Sequence, residues 1–266
     1  MAGAFGYQDH MRSGVAVSVV LGAVVDTMPA EYLSDPQPGI RARFLPASGS
    51  LTLQFDFGRT VTIGLVALVN TTLDGGETVR VQLNDSDPTF ATGTISNTAH
   101  AAAGAADTRG AVICLLPAAI AARYMRVLIT NIAGAVLDIG SLAAMATLRM
   151  ERGEEYGGRE GRTYLGASDA NPFTGASFRV AGLGNPRQVE FALPSIRQHE
   201  APAFQALFAT LSAADDVVYV PEVTLSQADL NRRSIYGPMA SPTAQLGLTR
   251  TNFAFSRFAF VLTERM

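Results

Sequence analysis

Between Leu51 and Phe57 the chain alternates strictly: Leu51, Leu53, Phe55 and Phe57 are apolar, and Thr52, Gln54 and Asp56 between them are polar. An extended backbone turns successive side chains to opposite faces, so a period of two predicts a strand with one face buried. After the turn residues Gly58-Arg59, the run Val61 to Asn70 is almost wholly apolar and predicts a strand covered on both faces. Thr78 to Leu83 alternates again. The Asp74-Gly75-Gly76 cluster tolerates positive φ, so these two strands are expected to form a hairpin. Ala91 to Gly110 is small and polar, as expected for a long surface loop with room for a short strand. Strand character returns at Val112 to Leu116, Tyr124 to Thr130 and Ala143 to Met150. Ala118 to Ala122 reads alternatively as a helical turn, because alanine is the best helix former. Short strands separated by turn signals predict a β-sandwich.

The stretch Glu151 to Arg162, ERGEEYGGREGR, holds seven charged residues and four glycines in twelve positions, and no apolar face can be drawn through it. It marks a domain boundary, the alternative being a long charged hairpin inside one domain. Beyond it, Gln188 to Leu193 alternates as a strand. Phe204, Leu207, Phe208 and Leu211 then recur at i, i+3, i+4 and i+7, one face of a helix, with Pro202 suited to its first turn. That stripe is expected to lie buried against a sheet. Asp215-Asp216 ends the helix, and Val217 to Val220, Ile235 to Ala240 and Phe253 to Leu262 read as strands. The expected fold is therefore mainly β. Residues 1–150 form a β-sandwich (jelly roll) preceded by an N-terminal arm, 151–162 a charged glycine-rich linker, and 163–266 a smaller α+β domain with one helix on an antiparallel sheet.

A length of 266 residues fits one large or two ordinary domains, each able to bury a core. With 16% charged residues and a net charge of −3, the surface is sparsely charged, as suits one covered by partners. All 20 basic residues are arginine, but they are scattered and outnumbered by acidic ones, so no nucleic-acid-binding stripe forms. The single cysteine, Cys114, lies in an apolar run and reads as inert core. Val15 to Val25 is too short to cross a membrane as a helix and makes a poor signal peptide, with Asp9 and His10 before it. The chain is expected to be made in the cytosol and left unprocessed, without membrane insertion.

Catalytic chemistry finds little purchase. The three histidines lie in the N-terminal arm (His10), a loop (His100) and a helix start (His199), and none has a histidine or cysteine at metal-ligand spacing. Gly182-Leu183-Gly184-Asn185-Pro186-Arg187 lacks a third glycine and reads as a turn rather than a phosphate loop. Neither Gly166-Ala167-Ser168-Asp169 nor Gly175-Ala176-Ser177-Phe178 completes a nucleophile elbow. The adjacent carboxylates Glu154-Glu155 and Asp215-Asp216 read as solvated turn charges. Only carboxylate-based chemistry is left open, because carboxylate separation is a property of the fold. The expectation is no enzyme, no catalytic residue, no metal and no cofactor.

Resemblance adds to this. Tyr32-Leu33-Ser34-Asp35-Pro36 with Gly39 to Phe44 looks like an opening loop and first core strand, LTLQFDFG at Leu51 to Gly58 like a strand closed by Asp-x-Gly, and Ala122-Arg123-Tyr124-Met125-Arg126-Val127 like a late strand. In this order the cues from Tyr32 to Met150 resemble the galactose-binding-like jelly-roll family, which includes the discoidin or coagulation-factor type C modules. The chain departs from the sugar- and lipid-binding members in having no tryptophan and no paired cysteines. Phe44, Phe55, Phe57 and Tyr124 fall at core positions, so the jelly roll is expected to serve as a scaffold. The second part, with its helix, Val217 to Pro221, Ile235-Tyr236-Gly237 and a closing strand to Glu264, resembles tail-tip or minor tail proteins of long-tailed bacteriophages. Together these resemblances imply a structural component of a tailed-phage virion, in the tail tip or baseplate. Its partners would be other tail proteins and copies of itself in a symmetric homo-oligomer, with the first fourteen residues and Ala91 to Gly110 ordering against neighbours. The alternative is a carbohydrate-binding module contacting a host surface glycan, and a third reading is a glycan-degrading enzyme.

Overall fold

The computed structural model describes residues 2–12, 14–35, 37, 39–152, 159–162, 167–170, 177–180, 185–211, 215–240, 247–252 and 254–265. The chain is mainly β and its sheets are antiparallel throughout the described pairings. The first part contributes β1 (Ala4–Asp9), β2 (Ala16–Leu21), β3 (Ala23–Val24), β4 (Ala42–Leu45), β5 (Leu51–Thr71), β6 (Thr78–Asn84), β7 (Thr94–Ala101), β8 (Val112–Thr130) and β9 (Leu137–Arg149). The second contributes β10 (Arg159–Arg162), β11 (Ala167–Ala170), β12 (Ser177–Val180), β13 (Arg187–Arg197), α1 (Ala201–Thr210), β14 (Asp216–Val220), α2 (Gln227–Arg233), β15 (Ile235–Ala240), β16 (Thr249–Arg250) and β17 (Phe255–Thr263).

Two long strands organise the first part. The start of β5, Leu51 to Asp56, pairs with the end of β8, and after a register break at Gly58 to Thr60 its second half pairs with the start of β8. Gly58 sits at φ +68°, which glycine takes without steric cost, and the strand bends there. β2, β6 and β7 extend the sheet on one side of this bend, and β4 and β9 on the other. Leu51, Leu53, Phe55, Val81, Met125 and Val127 meet Val66, Leu68, Leu142 and Ala144 in one core. The opposite face of the second half of β5 (Leu65, Ala67, Val69) packs in a separate cluster with Val218, Val220 and Tyr236. Burial on both faces explains why that run carries no alternation.

The sheet does not stop at β9. It continues through β1 to β14, β15, β17, β13 and β10. A third core fills the second part, where α1 lays Phe204 and Leu207 on a group of rings that includes Phe191, Tyr219, Phe258 and Phe260. The expected strands at 217–220, 235–240 and the chain's end correspond to β14, β15 and β17.

Several expectations are corrected. The N-terminal arm is a central strand: β1 pairs with both β9 and β14, its Phe5 ring lies 5.1 Å from Tyr219 and 5.2 Å from Phe260, and Ala4 is fully buried. β9 and β14 would otherwise expose unpaired edges, and a short segment with two inward residues suffices to close them. The hairpin expected from Asp74-Gly75-Gly76 does not pair, because β8 lies between β5 and β6. The crossing is held by Glu77, whose carboxylate accepts the Asp74 and Gly75 backbone N–H groups. Ala118 to Ala122 is part of β8 rather than a helical turn; the strand allowed for between Ala91 and Gly110 is present as β7, paired along the whole of β6. Of the α1 stripe, Phe204 and Leu207 are buried but Phe208 and Leu211 only half-buried. α2 adds a second helix, and it docks on the first part rather than on its own sheet. The side chain of Asn231 accepts the N–H of Ile113 at 2.9 Å and donates to Ala101 O at 3.1 Å and Ala103 O at 2.9 Å. Within the expected linker, Arg159–Arg162 forms the exposed edge strand β10 on β13, and residues 153–158 lie outside the described residues.

Candidate functional site

Alternation along the strands that bury Leu53, Phe55, Val81 and Val127 turns a row of polar side chains outward. Cross-strand pairing lines up Ser18 of β2, Gln54 of β5, Arg126 of β8, Gln82 of β6 and Asn97 of β7. Arg126 is the hub. One of its terminal nitrogens donates to Gln54 Oε1 at 2.7 Å and to the Thr89 carbonyl at 3.1 Å, and its guanidinium lies 4.4 Å over the Phe90 ring. Its Nε is buried without a hydrogen-bond partner. Desolvation accordingly lowers the guanidinium's pKa, opposed by the nearby Asp87 charge. Arg80 extends the row by donating to Asn97 Oδ1 at 3.3 Å.

The loop that delivers Phe90 is held in one shape. Asn84 donates to Thr92 O and accepts from the N–H groups of Ser86 and Asp87. Asp87 accepts from the backbone and hydroxyl groups of Thr89 and Thr92, which hold its carboxyl well below the usual range, the Thr89 hydroxyl foremost. Phe90 itself sits at φ +57°, where an aromatic side chain is strained. Beside it, Arg123 grips Asp56 through two bonds of 2.9 and 3.0 Å, depressing the aspartate's pKa, and stacks 5.0 Å from the Tyr124 ring. The result is an outward face with one aromatic ring, the three guanidinium groups of Arg80, Arg123 and Arg126, and three side-chain amides, able to stack an apolar surface and exchange hydrogen bonds with a polar one.

A second polar constellation lies where the two parts meet. Arg12 reaches Asp9 Oδ2 at 3.2 Å and Asp216 Oδ2 at 3.7 Å, Arg265 reaches Asp216 Oδ1 at 2.9 Å, and the Tyr236 hydroxyl donates to Asp216 at 3.1 Å. Burial pushes the Asp9 carboxyl up to about 6 against the pull of Arg12, and also raises Asp216 and Tyr236. Asp216, read from the sequence as a solvated turn charge, is thus a buried partner in β14. It was misread because its solvent shield comes from Arg12 and Arg265, both distant in the chain. Asp9 and Asp216 bring two carboxylates together, yet both side chains are enclosed, so they join the parts rather than face a cleft.

The remaining candidates fall in structural places. His10 is buried in the turn after β1, its Nε2 3.0 Å from Thr62 O, and burial lowers its pKa. His100 is on β7 rather than in a loop, 3.1 Å from Gln227 Oε1 of α2, and desolvation lowers its pKa too. His199 is exposed at the start of α1, 2.9 Å from Glu151 Oε1. Burial raises the Cys114 thiol far above its ordinary value, which keeps it unreactive. Phe44, Phe55, Phe57 and Tyr124 are buried as expected. Glu154-Glu155, Gly182 to Gly184, and residues 166 and 175–176 of the two serine motifs lie outside the described residues. Among the described residues, no cluster of His, Cys, Asp and Glu is arranged to hold a metal ion, and no helix is long and apolar enough to cross a membrane. The Phe90 loop escaped the sequence reading. Its signal was Asn84, Asp87 and Thr89, a run of side chains that bond their own backbone.

No protein-family model and no curated protein matches the chain. Solved structures similar to part of it include the family 32 carbohydrate-binding module of C. perfringens NanJ in complex with galactose, with 9% identity and a TM-score of 0.40, covering 53% of this chain and 99% of that one. The lectin domain of lectinolysin complexed with Lewis B antigen is 16% identical at a TM-score of 0.40, over 52% of this chain and 97% of that one. Chitosan-binding module 1 of a chitosanase/glucanase from Paenibacillus sp. IK-5 is 13% identical at a TM-score of 0.40, over 53% of this chain and 100% of that one.

Proposed function

We propose that this chain is a non-catalytic glycan-binding protein whose outer face, built on Arg126 and Phe90, receives the sugar. A sugar ring presents apolar C–H patches and hydroxyls that both donate and accept. It is therefore suited by an aromatic side chain next to fixed guanidinium and amide groups. The observation that carries this reading is Phe90 itself, held at φ +57° on a loop stapled by Asn84 and Asp87 and stacked on Arg126. Strain concentrated at one aromatic on an ordered loop is typical of a binding position. Calorimetric titration with a panel of oligosaccharides, together with an assay for released reducing sugar, tests it. Binding without cleavage, lost in Phe90→Ala with an unchanged melting temperature, is expected. Binding that survives Phe90→Ala and Gln54→Ala would move the site elsewhere, and cleavage would make the chain an enzyme.

A second reading, the structural part of a phage tail tip or baseplate, is favoured by β2. This edge strand, AVSVVL, carries no charge and no proline and exposes Val20 and Leu21 at 54% and 44%. Edges left so unguarded invite pairing with another chain. In that reading the chain acts in the virion through a symmetric oligomer and neighbouring tail proteins. Light scattering of the purified chain and co-assembly with tail proteins test it, and a monomer indifferent to both rules it out.

A further inference from the structure

A crevice runs along the seam of the two parts, apart from the Phe90 face. Val69, Asn70, Thr108, Arg109, Ala111 and Ile113 form one wall, and Arg187, Ser234, Tyr236, Glu264 and Arg265 the other. Three arginines and a single acidic residue, Glu264, therefore line the crevice. Arg187 is committed to Glu264 at 2.9 Å and to the carbonyls of Arg232 and Ser234, and Arg265 to Asp216. Arg109 is different. It is exposed, and its guanidinium has no hydrogen bond or ion pair among the described residues. Its backbone is also left-handed, at φ +56°. Ser234 adds a second, independent observation. It is only 3% exposed, and its hydroxyl has no hydrogen-bond partner. A buried hydroxyl without a partner is costly, and a ligand oxygen would offset that cost.

We infer that this crevice binds a small oxyanion, a carboxylate or phosphate group, with Arg109 as the recruiting cation and the Ser234 hydroxyl as a further donor. The enclosed space is about 20 Å³. That is room for the oxygen end of such a group and not for a whole metabolite, so the rest of the ligand would lie outside the mouth. Because the walls come from both parts, occupancy ties them together, and an anion that binds only the folded chain raises its melting temperature.

The test is thermal melting of the full chain titrated separately with inorganic phosphate and with acetate, each against sodium chloride of equal ionic strength. The same titrations are repeated on Arg109→Ala and Ser234→Ala. Wild type should show a saturable rise of about 2–4 °C with at least one of the two anions. A response to phosphate alone assigns the site to phosphate-bearing ligands, and one to acetate alone to carboxylates. Arg109→Ala, a surface change, should melt like wild type without anion and lose most of the rise. Ser234→Ala should be no less stable without anion and respond more weakly. An equal rise in wild type and Arg109→Ala would be a general salt effect and would overturn the inference, as would no rise beyond the chloride control.

Discussion

Replacing Asn231 by leucine tests how the two parts are held together. Asn231 is 0% exposed and uses its whole amide. Its Oδ1 accepts from Ile113 N and from Gln227 Nε2, both at 2.9 Å, and its Nδ2 donates to Ala101 O at 3.1 Å and Ala103 O at 2.9 Å. Leucine keeps the branching and the number of side-chain heavy atoms and removes all four bonds. Gln227 retains its bond to Ile113 O at 2.8 Å, so three backbone groups of the first part are left without a partner. A buried polar group so orphaned costs roughly 1–3 kcal/mol, and with water relieving the least enclosed of them the loss should reach about 3–6 kcal/mol. Urea unfolding followed by circular dichroism and by tyrosine fluorescence measures it. With α2 loosened from β7 and β8, the two probes should separate into two transitions, because helix docking is one of the ties between the parts. A loss below about 1 kcal/mol with coincident transitions would show that α2 docks through its apolar contacts and that the amide is incidental.

Phe204→Ala should cost about 3–5 kcal/mol, since its ring is fully enclosed, and Phe208→Ala clearly less, since its ring is half-buried; equal losses in melting experiments would contradict the placement of α1. Two opposite pH effects are expected. The folded-state pKa values of His10 and His100 lie below the ordinary 6.5, so the unfolded chain binds more protons and stability falls as pH drops through that value; His100→Gln should shallow the fall. Asp9 runs the other way: with its folded pKa pushed up to about 6 from 3.8, it contributes a penalty present above pH 6 and relieved between 6 and 3.8. Carboxyl carbon NMR should show one aspartate titrating near 6, and a midpoint near 4 would remove it from the buried network. Gly237→Ala should prevent folding or lower the melting temperature sharply, because a Cβ there would lie 1.9 Å from Thr263 O. Gly247→Ala, with nothing within 4 Å, should not; similar effects would deny the close approach of β15 to the last strand.

The period of two at Leu51 to Phe57, the unbroken apolar run after it, the i, i+3, i+4 stripe of α1 and the closing strands were legible in the sequence. Each reports only which faces of a local segment avoid water. The mainly β class follows from them, as does the burial of Phe55 and Phe57. Ser226 and Asp229, which cap α2, also stood in the sequence as a helix start, but a helix of seven residues leaves too little periodicity beside it. Tertiary structure alone decided which strand lies next to which. β1 carries no pattern that demands a central place; it sits there because β9 and β14 each present an open edge. The same holds for both polar constellations. Arg126 meets Gln54 across 72 residues and Arg12 meets Tyr236 across 224, and neither partner marks the other along the chain. Whether a charge is solvated or buried depends on what covers it, and the covering groups come from strands that only the folded sheet brings together.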